Sequence, residues 1–88
     1  MLLSIISSVR PLFFRYAYSL SCSRTKCFLY FRKTRKHESF RITLSLRDNG
    51  VIDFYYEADG FTETTTRYSK ESAIALLTHY IKASLSLY

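Results

Sequence analysis

From Phe40 to Arg47 every second side chain is apolar: Phe40, Ile42, Leu44 and Leu46 alternate with Arg41, Thr43, Ser45 and Arg47. A period of two sends alternate residues to opposite faces of a strand, so this run has one buried and one solvated face. Asp48-Asn49-Gly50 follows, and then the apolar run Val51 to Glu57. The register between the two runs can be tested from the side chains alone. With Asn49-Gly50 as a two-residue loop, Leu46 faces Asp53 and Ile42 faces Glu57, which sets carboxylates against the apolar row. A three-residue loop pairs Leu46 with Ile52, Leu44 with Phe54 and Ile42 with Tyr56 on one face. On the other it pairs Arg41 with Glu57 and Ser45 with Asp53. A slip of one residue exchanges every face, so the second register is selected, with Gly50 left-handed at the loop tip.

The rest of the C-terminal part follows in the same manner. Ala58-Asp59-Gly60 reads as a second turn of the same kind, and Phe61 to Tyr68 as a Thr-rich third strand near a sheet edge. Ser69 is placed to cap a helix over about Lys70 to Leu85, with Glu71 in its first turn. Ala73, Ile74, Leu77, Tyr80, Ile81 and Leu85 form its apolar stripe, and Glu71, Thr78, His79 and Lys82 lie towards the opposite side. The expected fold class is α+β, an antiparallel meander of three to five strands against one C-terminal helix. The 88 residues make one small domain, with a strand-strand-strand-strand-helix core over 26–88.

The first third admits two readings. Leu2 to Val9 is apolar but too short to span a bilayer, and it lacks the basic residues that precede a secretory signal. Residues 1–25 read as an N-terminal extension or an organelle-targeting segment, because the first 37 residues hold no acid and are rich in Arg and Ser. Val9, Leu12, Phe13, Tyr16 and Leu20 then share a helical face. Alternatively Leu12, Phe14, Tyr16, Tyr18, Leu20 and Cys22 alternate as a strand, returning through a turn at Ser23 to Lys26 into Cys27 to Phe31. The hairpin is the preferred reading. It sets Cys22 near Cys27 across the turn, where a disulfide is geometrically feasible, while in a reducing cytosol the two remain small, partly buried thiols, the preferred reading.

Charge divides the chain sharply. Residues 1–37 carry eight basic side chains and no acid, while residues 38–88 carry five basic side chains against seven acids. Such asymmetry points to an anionic partner for the N-terminal part. The run Arg32-Lys33-Thr34-Arg35-Lys36, with Arg24 and Lys26 before it, is the candidate nucleic-acid contact, since clustered cations on a loop grip phosphates without reading sequence. Read otherwise, it is a solvated connection that keeps an aromatic-rich chain soluble. Phe28, Tyr30, Phe31, Tyr55 and Tyr56 suggest base stacking, but alternation sends about half of them inward. Tyr55 is the best outward candidate, although its acidic neighbours oppose a phosphate backbone.

No catalytic set is expected. There is no Gly-flanked Ser, and Gly50 and Gly60, the only glycines, belong to turns. Asp53, Glu57 and Glu63 are expected to share the open sheet face with Arg41, Arg47 and Arg67 and to pair across strands, each pair worth about 0.2–1 kcal/mol. Cys22, Cys27, His37 and His79 supply one close ligand pair where a structural zinc site uses two. No metal, cofactor or small-molecule substrate is therefore expected.

The three strands and the helix opening Ser69-Lys70-Glu71-Ser72-Ala73 resemble two nucleic-acid modules, the double-stranded-RNA-binding domain and the arm-binding domain of phage integrases. The likeness spans Phe40 to Ile81 and implies a phage- or virus-like nucleic-acid binder. The chain departs from the RNA-binding family in carrying Glu71 and Thr-rich sequence where that family has a second lysine and glycines. Antitoxins with a partial version of the fold are similar in strand order, which implies instead a protein partner or homo-oligomer held at a sheet edge or face.

Overall fold

The chain begins with a helix that periodicity at its first eight residues supports: Leu2, Ile5, Ile6 and Val9 fall on one face and are buried. The structure, a computed structural model, describes residues 1–87. This helix, α1 (Leu2–Val9), ends in a 3-10 turn over Arg10–Leu12 that carries Pro11 in its permitted early position. Five strands follow, β1 (Tyr18–Cys22), β2 (Lys26–Phe31), β3 (Phe40–Leu46), β4 (Ile52–Ala58) and β5 (Phe61–Arg67), and then α2 (Lys70–Leu85). All neighbours are antiparallel and the sheet order is the chain order.

The β3–β4 hairpin has the register that the side chains select, with Leu46 opposite Ile52, Leu44 opposite Phe54, Ile42 opposite Tyr56 and Arg41 opposite Glu57. Arg47 N–H donates to the Val51 carbonyl at 2.8 Å, so Asp48-Asn49-Gly50 is the loop, and Gly50 has φ +83°. The second turn differs from its expected form. Ala58 pairs with Phe61, leaving a two-residue loop of Asp59 (φ +44°) and Gly60 (φ +81°). Positive φ at both central residues matches the twist of a hairpin, and the Asp-Gly dipeptide suits it. One residue fewer in the loop exchanges the faces of β5. Glu63 and Arg67, expected on the open face, therefore lie opposite Tyr56 and Ile52 on the helix side, and Thr62, Thr64 and Thr66 face out.

The N-terminal segment departs furthest from expectation. The strand anticipated from Leu12 begins only at Tyr18, because Leu2 to Leu12 are helical and Phe13 is buried edge-on to Tyr18 and Phe31 at 5.0 and 5.3 Å. The reason is the width of the sheet. Five strands span about 20 Å between their outer axes, whereas a helix with its side chains covers about 10 Å. Alone, α2 would leave the inner face of β1 to β3 in water. Instead α1 packs beside α2 and against β2 and β3, so Leu2, Ile5, Ile6 and Val9 join Leu29, Phe31, Ile42, Leu44, Phe54, Leu77 and Ile81 in one core.

α2 has the expected span. The Ser69 hydroxyl accepts from Ser72 N–H at 3.1 Å, and Ala73, Leu77, Tyr80, Ile81 and Leu85 are buried. Over β4 and β5 the contact is aromatic and polar. Tyr56 stacks on Tyr80 with ring centroids 4.7 Å apart, Tyr80 Oη donates to Glu63 at 2.6 Å, and the Tyr56 and Ser84 hydroxyls meet at 2.7 Å. Cys22 and Cys27 stand directly opposite each other and are joined in a disulfide, in place of the two thiols expected.

Candidate nucleic-acid interface

Both helices lie on one side of the sheet, so the other side is open. Its residues follow from the alternation that buries their neighbours. In β2, Cys27, Leu29 and Phe31 are buried, which leaves Lys26, Phe28 and Tyr30 facing out. Arg32 occupies the next outward position, its N–H donating to the Ala17 carbonyl at 3.3 Å so that pairing with the strand before it persists. Across the sheet, Phe28 is opposite Thr43, Thr43 opposite Tyr55, and Tyr55 opposite Thr64. Phe28 and Tyr55 are 46% and 39% exposed, high values for large rings at the middle of a sheet. Phe31 and Tyr56, the other two aromatic candidates, turn to the helix side.

The six candidate basic residues do not form one cluster. Arg32, Lys33, Arg35 and Lys36 are exposed on the β2–β3 loop at one end of the sheet, while Arg24 and Lys26 are exposed at the β1–β2 turn at the other. Strand β2 separates them by about 20 Å. The loop is internally braced. Thr34 N–H donates to the His37 carbonyl at 2.9 Å, and Lys36 N–H donates to the Thr34 hydroxyl at 3.1 Å. The His37 ring lies between Tyr16 and Phe40, with centroids 6.0 and 5.9 Å away, and pins the loop against the segment that carries Arg15. Lys33 meets Glu38 at 3.5 Å, and both side chains are largely in water, so this pair contributes little.

The acids beside Tyr55 are matched by cations. Arg47 makes a two-pronged contact with Asp53, at 2.7 and 2.8 Å, and the Thr66 hydroxyl donates to the same carboxylate at 2.8 Å. These hydrogen bonds, Arg47's first, hold the Asp53 carboxyl below the usual aspartate range and raise Arg47 further. Glu57 faces Arg41 at 3.9 Å, and the Arg41 guanidinium also sits 5.7 Å from the centre of the Tyr30 ring. A shallow cavity of about 240 Å³ opens at this corner, lined by Tyr30, Ser39, Arg41, Glu57 and Gly60 among others. The anticipated obstacle of repulsive carboxylates is thus reduced to ion pairs, and Glu63 has left the face.

Among the described residues no three His, Cys, Asp or Glu side chains gather as a metal site, and no helix is long and apolar enough to cross a membrane. His37 belongs to the loop, His79 to α2, and the two cysteines bond to each other. The outward row of Phe28 and Tyr30 was legible in β2 once its inward partners were known. The turn length that moves Glu63 had no equivalent signal, since Asp-Gly suits loops of either two or three residues. Comparison with protein-family models, with curated proteins and with solved structures finds no match to this chain.

Proposed function

We propose that this protein is a small non-enzymatic binder that contacts nucleic acid through the exposed cations of the β2–β3 loop, with Arg24 and Lys26 as a second contact. The observation that carries this reading is the loop itself. Arg32, Lys33, Arg35 and Lys36 are exposed within five residues, with Glu38 as the one acid paired there, on a backbone held by Thr34 and His37. A braced loop presents its charges without a large ordering cost on binding. Each phosphate neutralised releases counterions, so affinity for a labelled oligonucleotide should fall steeply with salt. Replacing Arg32, Lys33, Arg35 and Lys36 by Gln should flatten the plot of log affinity against log salt by roughly 2–4 in slope. An unchanged slope in fluorescence anisotropy, or no binding at low ionic strength, would remove this reading.

A second reading has its own observation. β5 is an edge strand with exposed Phe61, Thr62, Glu63 and Thr64 at its free end, and its outer backbone edge pairs with no other strand among the described residues. Such an edge can add a strand from a protein partner or a second copy of the chain. Light scattering on the purified protein, with Thr64→Pro to block the edge, tests it through the molar mass.

A further inference from the structure

Resting on the nucleic-acid reading, we propose that the open sheet face is a platform for an unpaired nucleic-acid strand, whose bases stack on Phe28 and Tyr55, beside the Tyr30 ring that Arg41 partly covers. β2 carries an ordered series on that face, Lys26, Phe28, Tyr30 and Arg32: a cation, two rings and a cation. Successive outward positions are about 6.6 Å apart, so the series extends roughly 20 Å and joins the two basic clusters that the charge alone leaves separate. Phe28 and Tyr55 stand in one row with Thr43 between them, two strand spacings or about 10 Å apart, and both rings are exposed. Thr43, Thr64 and Ser21, all with short side chains, complete that row.

Charge on the face suits a polyanion on one side only. Asp53 is engaged by Arg47 and Thr66, and Glu57 by Arg41, so Lys26 and Arg32 are the cations beside the rings that no acid matches among the described residues. Asp59, at the β4–β5 turn, marks the unfavourable corner. The backbone of a bound strand therefore follows β2 and its bases lean across β3 towards Tyr55. Paired bases in a duplex present no free ring face to such a row, whereas splayed bases of a single strand do. Recognition of this kind tolerates sequence, because every base has a stacking face.

The test uses the 88-residue chain, a short fluorescein-labelled oligo-dT, and a blunt duplex of equal length. The single strand should bind more tightly than the duplex at the same salt. Phe28→Ala and Tyr55→Ala should each weaken it by about 5- to 150-fold, while leaving the salt slope unchanged. Because the chain contains eight Tyr and no Trp, stacking should also quench the intrinsic tyrosine emission on saturation, and less so in Tyr55→Ala. Both rings point away from the core, and the far-ultraviolet spectra of the variants check that the fold is kept. Variants that bind oligo-dT like the wild type, or a protein that prefers the duplex, would overturn the platform and leave the loop contact standing. Loss of all nucleic-acid binding would overturn both. Self-association abolished by Phe28→Ala, without oligo-dT binding, would reassign the face to a second copy of the chain.

Discussion

Ile6→Ala and Leu3→Ala alter neighbouring positions of α1 and should have opposite outcomes. Ile6 is fully buried in the core, whereas Leu3 is 54% exposed. Truncating Ile6 removes three carbon atoms from an apolar environment at about 0.8 kcal/mol each, and the cavity left where the surroundings do not collapse adds to that loss. Alanine returns a few tenths of a kcal/mol through its better helix propensity. The net cost is about 2–4 kcal/mol. A chain of this length at roughly 0.05–0.15 kcal/mol per residue has about 4–13 kcal/mol in all, so one side chain in the first turns holds a large share. Thermal unfolding should move down by about 10–25 °C, and the urea midpoint should fall with little change in slope. Leu3→Ala should stay within about 0.5 kcal/mol. If α1 were an extension loosely attached to the sheet, both substitutions would be silent. Equal midpoints for Ile6→Ala and the wild type would refute the argument that a five-stranded sheet needs a second helix.

Three further outcomes follow from local geometry. Gly60→Ala has open space around its new methyl group but must keep φ near +81°, so it should cost about 1–2 kcal/mol in urea unfolding, and Gly60→Asn less. Asp53, held below the usual range by Arg47 and Thr66, contributes stability that is present above the ordinary aspartate pKa and is lost as pH falls through the lower folded value. Asp53→Asn should therefore flatten the acid limb of a stability-against-pH curve, and an unchanged limb would contradict the pair. Tyr80, raised first by burial and then by its hydrogen bond to Glu63, contributes stability that is complete below the ordinary tyrosine pKa and is lost as pH rises through its folded value. In the alkaline titration followed by tyrosinate absorbance, the wild type should show one step later than a free tyrosine gives, and that late step should vanish in Tyr80→Phe.

What the sequence determined by itself was everything set by neighbours along the chain. The alternation from Phe40 to Tyr56, tested against a one-residue slip, settled the β3–β4 register and the left-handed Gly50, because a wrong register would bury carboxylates. Ser69 and the stripe from Ala73 to Leu85 settled α2 by capping and period. The outward place of Tyr55 was legible for the same reason.

Tertiary structure decided the rest. Leu2 to Val9 is apolar enough to be a helix, a strand or a targeting segment, and only the uncovered half of the sheet made it a packed helix. The Asp59-Gly60 loop tolerates more than one length, so the face taken by Glu63 depended on the aromatic and polar contact that β5 makes with Tyr80 of α2. Likewise, six basic residues close together in the chain were divided between two ends of the sheet, because an antiparallel meander places consecutive turns at opposite ends of its strands. Composition counts charges, but strand direction decides which of them stand together.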